Sequence, residues 1–496
     1  MFLILSILIA TILTRSFFLD PDLGWHLYLG KEIVEKKSLV TTFIGYNHFA
    51  MLERPDHEWL SNIVLYEIDK YFGFIGLFVL FAGLLIITVW LLYKIIQKYL
   101  PNKAAVIFLL IFILLPQATN FGIRVQYILV FALVVLLYIK LFIKNPKERA
   151  YLYFFFSIIL NNLHGGYITL LPAILLLELD LFDGKKIKEN LINYAIVACS
   201  LIIPVIINPY GFDYFKLLIN YGGSYYRDHI QEWTSIASFP WMSKILTIYI
   251  PLSVLLFAFT IDKYQRKIRY FEAIMLVIYG YLGVRYIRQF PIFAILAAPI
   301  VARAITSFDK SVKPGLVFKK LALTFSVMIV LALSAEVFYS FRPSYDKSLG
   351  LPVLGYPVKA ADFIAKNHPK KGLFFNNYDW GGFLVWSHPE LKIFIDGRGP
   401  EKLINGKTSI LEEYNNFYSQ DRIYTRSKLE QYQISYVLLK KPEKNSPLDL
   451  YVLNLFDQKI GTNALLEYLI ASPDWKKVYE DDISEVYFKN NNEEKK

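Results

Sequence analysis

Residues 1–26 have the sequence MFLILSILIATILTRSFFLDPDLGWH. A mainly apolar run ends there at Asp20 and Asp22, two carboxylates one residue apart, and Trp25 and His26 follow. Carboxylates are costly to remove from water, so a pair at the end of an apolar segment is poorly explained by packing. The stretch therefore predicts a membrane segment that leads directly into a functional acidic loop.

The rest of the chain predicts a polytopic α-helical membrane protein. Apolar residues make up 55% of the sequence and the mean hydropathy is +0.38. Because a membrane-crossing helix needs roughly 20 mainly apolar residues, about 11 spans are predicted. They are residues 2–19, 74–93, 104–122, 125–143, 151–163, 166–181, 191–207, 244–261, 270–284, 289–306 and 317–339. The first is expected to remain uncleaved, since it lacks a basic start and a small-residue cleavage site; a secretory signal is the alternative.

The charge distribution predicts the orientation of these spans. The formal net charge is +11, and the basic residues lie mainly in short loops between apolar segments. The positive-inside rule then places the N-terminus on the inner side of the cytoplasmic (inner) membrane and the C-terminal part on its outer side. The positive charge is therefore not interpreted as a nucleic-acid signal. A lone cysteine, Cys199, excludes a disulfide framework and a thiol-based metal site.

Three regions are predicted. Residues 1–341 form a transmembrane domain with a first outer loop at 20–73, and residues 342–489 form an extracytoplasmic α/β domain because strand and helix patterns alternate there. Residues 490–496 are a disordered charged tail. The spans at 151–163 and 166–181 are short, so they are either two helices or one long span; the charge pattern downstream favours two.

Acidic side chains of the first outer loop are the candidate catalytic groups. Asp20 and Asp22 are suited to take a proton from an acceptor hydroxyl or to bind a divalent metal ion. Two acids separated by one residue face the same way on an extended backbone. The alternative is a solvated pair at a helix N-terminus. Glu58, next to His57, is a further candidate, with His57 and His26 as substrate-binding groups; the alternative is a polar helix start.

The sequence around Glu58 begins like a zinc-protease HExxH motif. Ser61 stands where the second histidine would be, so that interpretation is rejected.

Arginines near predicted outer span ends are candidate phosphate ligands. Arg124, Arg285 and Arg288 are predicted at the outer membrane surface, where a guanidinium can bind a lipid phosphate through two hydrogen bonds. The alternative is that these side chains extend towards lipid headgroups. His164, between the two short spans, and Glu232, in the outer loop 208–243, are further substrate-binding candidates, with structural roles as the alternative.

Two polar motifs follow predicted strands of the C-terminal domain. Asp379 and Trp380 follow strand 372–375, and Asp396 and Arg398 follow strand 392–395. Loops after strands often carry binding sites in α/β domains, so all four are candidate substrate ligands. Asp396 and Arg398 are equally able to pair with each other as a structural clasp.

Motifs for soluble cofactors are absent from the sequence. It has no G-x-G-x-x-G, P-loop, C-x-x-C or G-x-S-x-G motif. No nucleotide cofactor is expected, and the substrate is expected to be at the membrane already.

These features together resemble the GT-C superfamily of polytopic glycosyltransferases. The residues that carry the resemblance are Asp20, Asp22, Trp25 and His26, with 162–166, 379–382 and 396–398. A closer similarity is to bacterial membrane proteins that share these Asp-x-Asp-x-x-Trp-His, Asn-Leu-His-Gly-Gly, Asp-Trp-Gly-Gly and Asp-Gly-Arg motifs. The resemblance implies a polyprenyl-phosphate-linked sugar as donor, a base or metal-binding role for the first-loop acids, and lipid-phosphate binding by the arginines.

The resulting hypothesis is a membrane glycosyltransferase with an extracytoplasmic acceptor, in contact with membrane lipids and assisted by Mg²⁺ or Mn²⁺. It requires the first-loop acids and the later arginines to meet in one pocket. The alternative is a non-catalytic transporter of lipid-linked glycan, or a scaffold in envelope polysaccharide assembly. Transporters often show internal repeats, and none is evident here.

Overall fold

The computed structural model describes residues 20–40, 42–43, 52–53, 55–114, 122–181, 186–214, 225–230, 270–311, 345–346, 351–352, 355–367, 373–399, 401–404, 406–441 and 463–490, with Lys216, Trp233 and Ser235 as single residues. The predicted spans at 2–19, 244–261 and 317–339 lie outside these ranges, as does Glu232.

The chain forms two compact units. Unit 1 comprises Met1–Phe18, Phe74–Phe215 and Gln231–Pro343. Unit 2 comprises Leu19–Gly73, Lys216–Ile230 and Ser344–Lys496. The first outer loop therefore groups with the C-terminal domain, whereas the sequence analysis assigned it to the transmembrane domain.

The α-helices in the described residues are α1 (Leu23–Lys36), α2 (Trp59–Gln97), α3 (Lys103–Leu114), α4 (Tyr127–Phe142), α5 (Pro146–Leu163), α6 (Leu171–Glu178), α7 (Ile187–Ile206), α8 (Tyr225–His229), α9 (Tyr270–Arg285), α10 (Phe290–Ser311), α11 (Val358–Asn367), α12 (Gly381–Ser387), α13 (Ile410–Ser419), α14 (Arg422–Gln431) and α15 (Ala464–Ala471). Short 3₁₀ helices cover Gly165–Leu170, Leu179–Leu181, Ile287–Gln289 and Tyr378–Trp380.

The strands are β1 (Thr42–Phe43), β2 (Leu52–Glu53), β3 (Tyr345–Asp346), β4 (Leu351–Pro352), β5 (Leu373–Asn376), β6 (Leu403–Ile404), β7 (Thr408–Ser409), β8 (Ile434–Lys440), β9 (Trp475–Glu480) and β10 (Ser484–Lys489).

Unit 1 is helical in its described part. Within the described ranges, α2 and α7 are long and apolar enough to cross a membrane. Large apolar side chains on both helices face outward, among them Ile75, Val79 and Trp90 of α2 and Ile202 of α7. Extended apolar surface of this kind is typical of contact with lipid. The span count and the orientation in the cytoplasmic membrane stay predictions.

A glycine kink separates the outer-loop part of α2 from its apolar part. Gly73 has φ 61° and ψ −163°, a combination that residues with a Cβ rarely adopt. The predicted span begins one residue later, at 74, and the boundary of unit 2 falls at the same glycine.

The two short predicted spans are separate helical segments. Helix α5 ends at Leu163, and His164 has an extended backbone with φ −154° and ψ 121°. The His164 side chain accepts a hydrogen bond from Gly166 N–H at 2.9 Å and so caps the next 3₁₀ helix. Two helical segments are present as expected; that each one crosses the membrane, and that His164 binds substrate, stay predictions.

A buried carboxylate joins three helices of unit 1. Glu178 of α6 is fully buried and accepts hydrogen bonds from Arg149 at 2.8 Å and Tyr153 at 2.9 Å, both on α5. Lys140 of α4 lies 3.3 Å from the same carboxylate. Paired in this way, a buried carboxylate fixes the packing of its neighbours.

Unit 2 contains a four-stranded sheet in the order β5-β8-β10-β9. β5 runs parallel to β8, and the other two pairs are antiparallel. The predicted strand at 392–395 was wrong. That segment is a buried loop whose Phe394 and Ile395 N–H groups donate to Asn376 Oδ1 at 2.7 and 3.3 Å. A short buried loop and a buried strand can both have a continuous run of apolar residues, so the sequence does not distinguish them.

The helical periodicity of the first outer loop predicts two amphipathic helices, one with Leu23, Leu27, Gly30 and Ile33/Val34 on its apolar face and one with residues 60, 63, 64, 67, 68 and 71. The α1 face is confirmed, since Leu23, Leu27, Gly30 and Ile33 are buried. The predicted α2 face, residues 60, 63, 64, 67, 68 and 71, is half-exposed or exposed. The buried residues there are Ser61, Asn62, Leu65 and Tyr66, because Asn62 takes part in a buried polar network with α1.

Candidate active site

The Asp-Pro-Asp segment is a tight turn before α1. Asp22 N–H donates to Asp20 Oδ1 at 3.0 Å, and Leu23 N–H donates to the Asp20 carbonyl at 3.1 Å. Asp22 has φ −89° and ψ −19°, so its backbone is helical. The extended backbone on which the two acids would face the same way is not found at this residue. Its side chain also makes no capping hydrogen bond to α1. The first carboxylate therefore shapes the turn, and the second is held by other contacts.

The Asp22 carboxylate is fixed from two directions. Trp25 Nε1–H donates to Asp22 Oδ1 at 2.9 Å. On another side lies Gly397, where a Cβ would come within 2.4 Å of the same oxygen. Asp22 remains half-buried, so its carboxylate is both oriented and partly accessible.

Behind Asp22 is a polar network of buried side chains. The rings of Trp25 and His26 are 3.6 Å apart, and His26 Nδ1 lies 2.5 Å from Asn62 Oδ1. Asn62 in turn donates to Asp56 Oδ2 at 2.6 Å. Because an amide oxygen only accepts hydrogen bonds, this arrangement assigns the imidazole proton to Nδ1. Burial lowers the pKa of His26 to about 3, against the smaller opposite effect of the Asn62 hydrogen bond, so the ring is neutral.

Glu58 lies between two imidazoles. Its carboxylate is 3.9 Å from His26 Nε2 and 3.8 Å from His57 Nε2. Glu58 and His26 are both buried, and His57 is half-buried. His26 is part of the buried network, and catalysis by Glu58 and substrate binding by His26 and His57 stay predictions.

The first-loop acids suit a metal ion only in part. In the described ranges no three His, Cys, Asp or Glu side chains are grouped to hold a metal. Asp20 and Asp22 supply two carboxylates, and Mg²⁺ is often bound by one or two carboxylates together with substrate phosphates. The donor chemistry therefore fits a cation site that the substrate completes.

The candidate ligands in the C-terminal domain have contacts within that domain. Arg398 Nε donates to Asp396 Oδ2 at 2.7 Å and its backbone N–H to Asp396 Oδ1 at 2.9 Å, with both residues fully buried. Trp380 is buried and donates to the Gly355 carbonyl at 2.9 Å. The Asp396–Arg398 pair is the contact that the structural clasp requires, and substrate binding by these residues stays a prediction. Asp379 is exposed, and its backbone N–H donates to Asn377 Oδ1 at 3.1 Å.

Arg285 and Arg288 belong to an arginine–aromatic cluster in unit 1, formed with Trp233 and Tyr286. The Arg285 guanidinium lies 5.0 Å from the Tyr286 ring centroid, and that of Arg288 lies 5.3 Å from Trp233. The two rings meet edge to face at 5.8 Å. Both arginines are half-buried. Two neighbouring guanidiniums supported by rings suit an anionic group with several oxygens.

Arg124, also half-buried, lies just before α4, where its carbonyl accepts from Tyr127 N–H at 2.9 Å. Its role in phosphate binding stays a prediction, as does the convergence of the acids with the arginines.

The sequence analysis included Gly382 and Gly397 in the motifs 379–382 and 396–398 but gave them no role of their own. Gly382 approaches the first-loop backbone at Pro21, and Gly397 approaches the Asp22 carboxylate.

No family model matches the chain, and no curated protein matches it. Similar solved structures include AglB from Archaeoglobus fulgidus in complex with an inhibitory peptide and a dolichol-phosphate, with 10% identity over 88% of this chain and 69% of that chain and a TM-score of 0.48. The Archaeoglobus fulgidus oligosaccharyltransferase in complex with Zn and sulfate has 12% identity, 88% and 67% coverage and a TM-score of 0.44. ArnT from Cupriavidus metallidurans has 10% identity, 98% and 97% coverage and a TM-score of 0.47.

Because each TM-score is below 0.5, no catalytic step or ligand of these proteins is transferred to this chain.

Proposed function

We propose that this chain is a membrane glycosyltransferase that moves a sugar from a polyprenyl-phosphate-linked donor to an extracytoplasmic acceptor: a glycan, a lipid or a protein. The main support for the proposal is the fixed position of the Asp22 carboxylate. The carboxylate is half-buried and oriented by Trp25 and Gly397. A carboxylate held in this way is suited to accept a proton from one direction.

In the proposed reaction, Asp22 accepts the proton of the acceptor hydroxyl. The hydroxyl oxygen forms a bond to the anomeric carbon, and the bond from that carbon to the donor phosphate oxygen breaks. Polyprenyl phosphate leaves with the bonding electron pair. Arg285 and Arg288 bind its negative charge through charge-assisted hydrogen bonds.

Asp20 and Asp22 would hold Mg²⁺ or Mn²⁺ if the reaction uses one, and the ion would supply charge neutralisation at the leaving phosphate. Asp20 also maintains the turn that presents Asp22, through its hydrogen bond with Asp22 N–H.

A non-catalytic scaffold or transporter for lipid-linked glycan is the second candidate. The two candidates differ in whether the donor is consumed.

The test is a donor-cleavage assay with the full chain in proteoliposomes. A series of polyprenyl-phosphate-linked sugars is supplied with a membrane glycan extract, and released polyprenyl phosphate is measured by mass spectrometry. Asp22→Asn keeps an oxygen for Trp25 but takes no proton, so release is expected to fall about 100-fold or more. Asp482→Asn, at an exposed acid in the C-terminal domain, is the matched control.

Undiminished release by Asp22→Asn would remove the proposed base. Binding of polyprenyl phosphate by the wild-type chain without release from any donor would favour the scaffold.

A further inference from the structure

Three motifs that are far apart in the sequence meet at one place in unit 2. The Asp-Pro-Asp turn lies against Gly382, at the beginning of α12, and against Gly397, in the loop after 392–395. The contacts join residues more than 350 positions apart and bring together the backbones of the first loop and the C-terminal domain. The two glycine positions permit this approach because neither carries a Cβ.

At Gly382 the contact is with backbone. A Cβ there would lie 2.2 Å from the Pro21 carbonyl oxygen, and a Cβ at Gly24 would lie 2.2 Å from the Gly382 carbonyl oxygen. Backbone atoms on both sides leave little freedom to move aside. The contact therefore sets the position of the whole turn that carries Asp22.

At Gly397 the contact is with the carboxylate. A Cβ would lie 2.4 Å from Asp22 Oδ1 and 3.1 Å from Trp25 Nε1. The side chain of Asp22 is short and already bound by the Trp25 indole, so an added methyl group would displace the carboxylate by about 1 Å to reach ordinary contact distance.

The loop that presents Gly397 is itself fixed. Asp396 and Arg398, its two neighbours, form the buried ion pair, and the Arg398 guanidinium lies 5.7 Å from the Tyr28 ring centroid of α1. The residues before and after Gly397 are thus both fixed, which holds the glycine against Asp22.

We propose that Gly382 and Gly397 are positioning residues for Asp22, so that the Asp-Trp-Gly-Gly and Asp-Gly-Arg motifs hold the first-loop carboxylate in place instead of binding the acceptor. The structural part of this inference rests on the contacts alone. Its consequence for sugar transfer rests on the proposed function.

The test compares Gly397→Ala with Gly83→Ala, a helical glycine where a Cβ would meet nothing within 4 Å. The full chain, labelled with ¹⁵N-tryptophan and held in nanodiscs, gives one indole N–H signal for each of its eight tryptophans. Trp25→Phe assigns the Trp25 signal. Gly397→Ala is expected to shift that signal, and Gly83→Ala to leave it unchanged. Transfer by Gly397→Ala is expected to fall about 100-fold, since a displacement of about 1 Å has that effect.

A double-mutant cycle of apparent Tm values covers the case in which the variant is poorly folded. Gly397→Ala is introduced into the wild-type chain and into the Asp22→Ala variant. It is expected to lower the apparent Tm more in the wild-type chain, because the carboxylate that would clash with the added methyl group is absent from Asp22→Ala. Equal shifts in both backgrounds, or an unchanged Trp25 signal, would overturn the positioning role. A shifted signal with full transfer would support positioning and remove Asp22 as the base.

Discussion

Asp22 in unit 2 and Arg288 in unit 1 differ in the contacts that surround them. Asp22 is bound by an indole N–H at 2.9 Å and lies against a backbone that leaves no room for one methyl group. Arg288 lies over an aromatic ring at 5.3 Å. Direct hydrogen bonds and backbone contact depend steeply on distance, whereas attraction between a guanidinium and a ring does not.

The difference matches the two proposed roles. Proton transfer requires a donor and an acceptor within hydrogen-bond reach, so a base must be held firmly. A phosphate carries charge on several oxygens, so arginines that bind it tolerate small displacements. Substitutions that add or remove a single group should therefore affect unit 2 strongly and the arginine–aromatic cluster mildly.

The largest effect on stability is expected from Arg398→Met. It leaves the buried Asp396 carboxylate without its guanidinium, and removing one member of a buried pair costs about 3–5 kcal/mol. Arg422→Met, at an exposed arginine 3.7 Å from Glu467, is the matched control and should change stability little, because a surface ion pair contributes about 0–1 kcal/mol. Denaturant unfolding followed by tryptophan fluorescence measures both; equal losses would mean that the two arginines are not held differently.

His26 should make unit 2 less stable in acid, and Asp69, whose pKa burial raises to about 6, should oppose part of that loss. Burial lowers the pKa of His26 from 6.5 to about 3 in the folded chain, so the unfolded chain binds the proton first as the pH falls. The His26 contribution is therefore full above about pH 6.5 and is lost towards pH 3, with about 2 kcal/mol of it lost by pH 5. His26→Gln, which does not titrate, should flatten the curve of apparent Tm against pH between 7 and 5. A variant as acid-sensitive as the wild type would assign this dependence to other groups.

A smaller effect is expected from the arginine–aromatic cluster. Arg288→Lys keeps the charge and loses the two-pronged hydrogen bonding, so affinity for polyprenyl phosphate should fall about tenfold, which is about 1.4 kcal/mol. Titration of the lipid into nanodiscs containing the chain measures this loss, and the same titration with Arg398→Lys serves as the comparison. Unchanged affinity in Arg288→Lys would argue against a direct phosphate contact.

The smallest effect on stability is expected from Asp379→Asn. Asp379 is exposed, so the change should stay within about 0.5 kcal/mol. If Asp379 selects the acceptor, the variant keeps donor binding and loses transfer to some acceptors, which the proteoliposome assay detects. Unchanged transfer to every acceptor would leave the C-terminal domain with its positioning role alone.

Some of the fold was accessible from the sequence because local pattern determines it. The apolar period of α1 identified its buried face, and the short apolar segments on either side of His164 indicated a break. Helix α12 was missed because it begins with Gly381 and Gly382, which are poor helix formers. The prediction of the buried face of α2 was wrong, because the buried hydrogen bonds of Asn62 outweigh the apolar periodicity there.

The candidate site was only partly accessible for a different reason. The acids of the first loop were recognisable as residue types at a predicted membrane surface. Their support comes from Gly397, far along the chain, and a missing Cβ gives no local pattern that reveals its contact partner. The sequence also left open whether Asp396 and Arg398 bind a ligand or each other, since that depends on burial.

The contact between the first loop and the C-terminal domain is the central claim, and a disulfide tests it most directly. A Cβ at 397 would lie 3.3 Å from Asp22 Cγ, which is about where the Sγ of a cysteine at 22 stands, and this spacing suits a disulfide. In the full chain with Cys199→Ser, the pair Asp22→Cys and Gly397→Cys is predicted to form a disulfide in membranes, detected by peptide mass spectrometry. The pair Asp22→Cys and Gly406→Cys should not. Two free, alkylatable thiols at positions 22 and 397 in the folded chain would contradict the account.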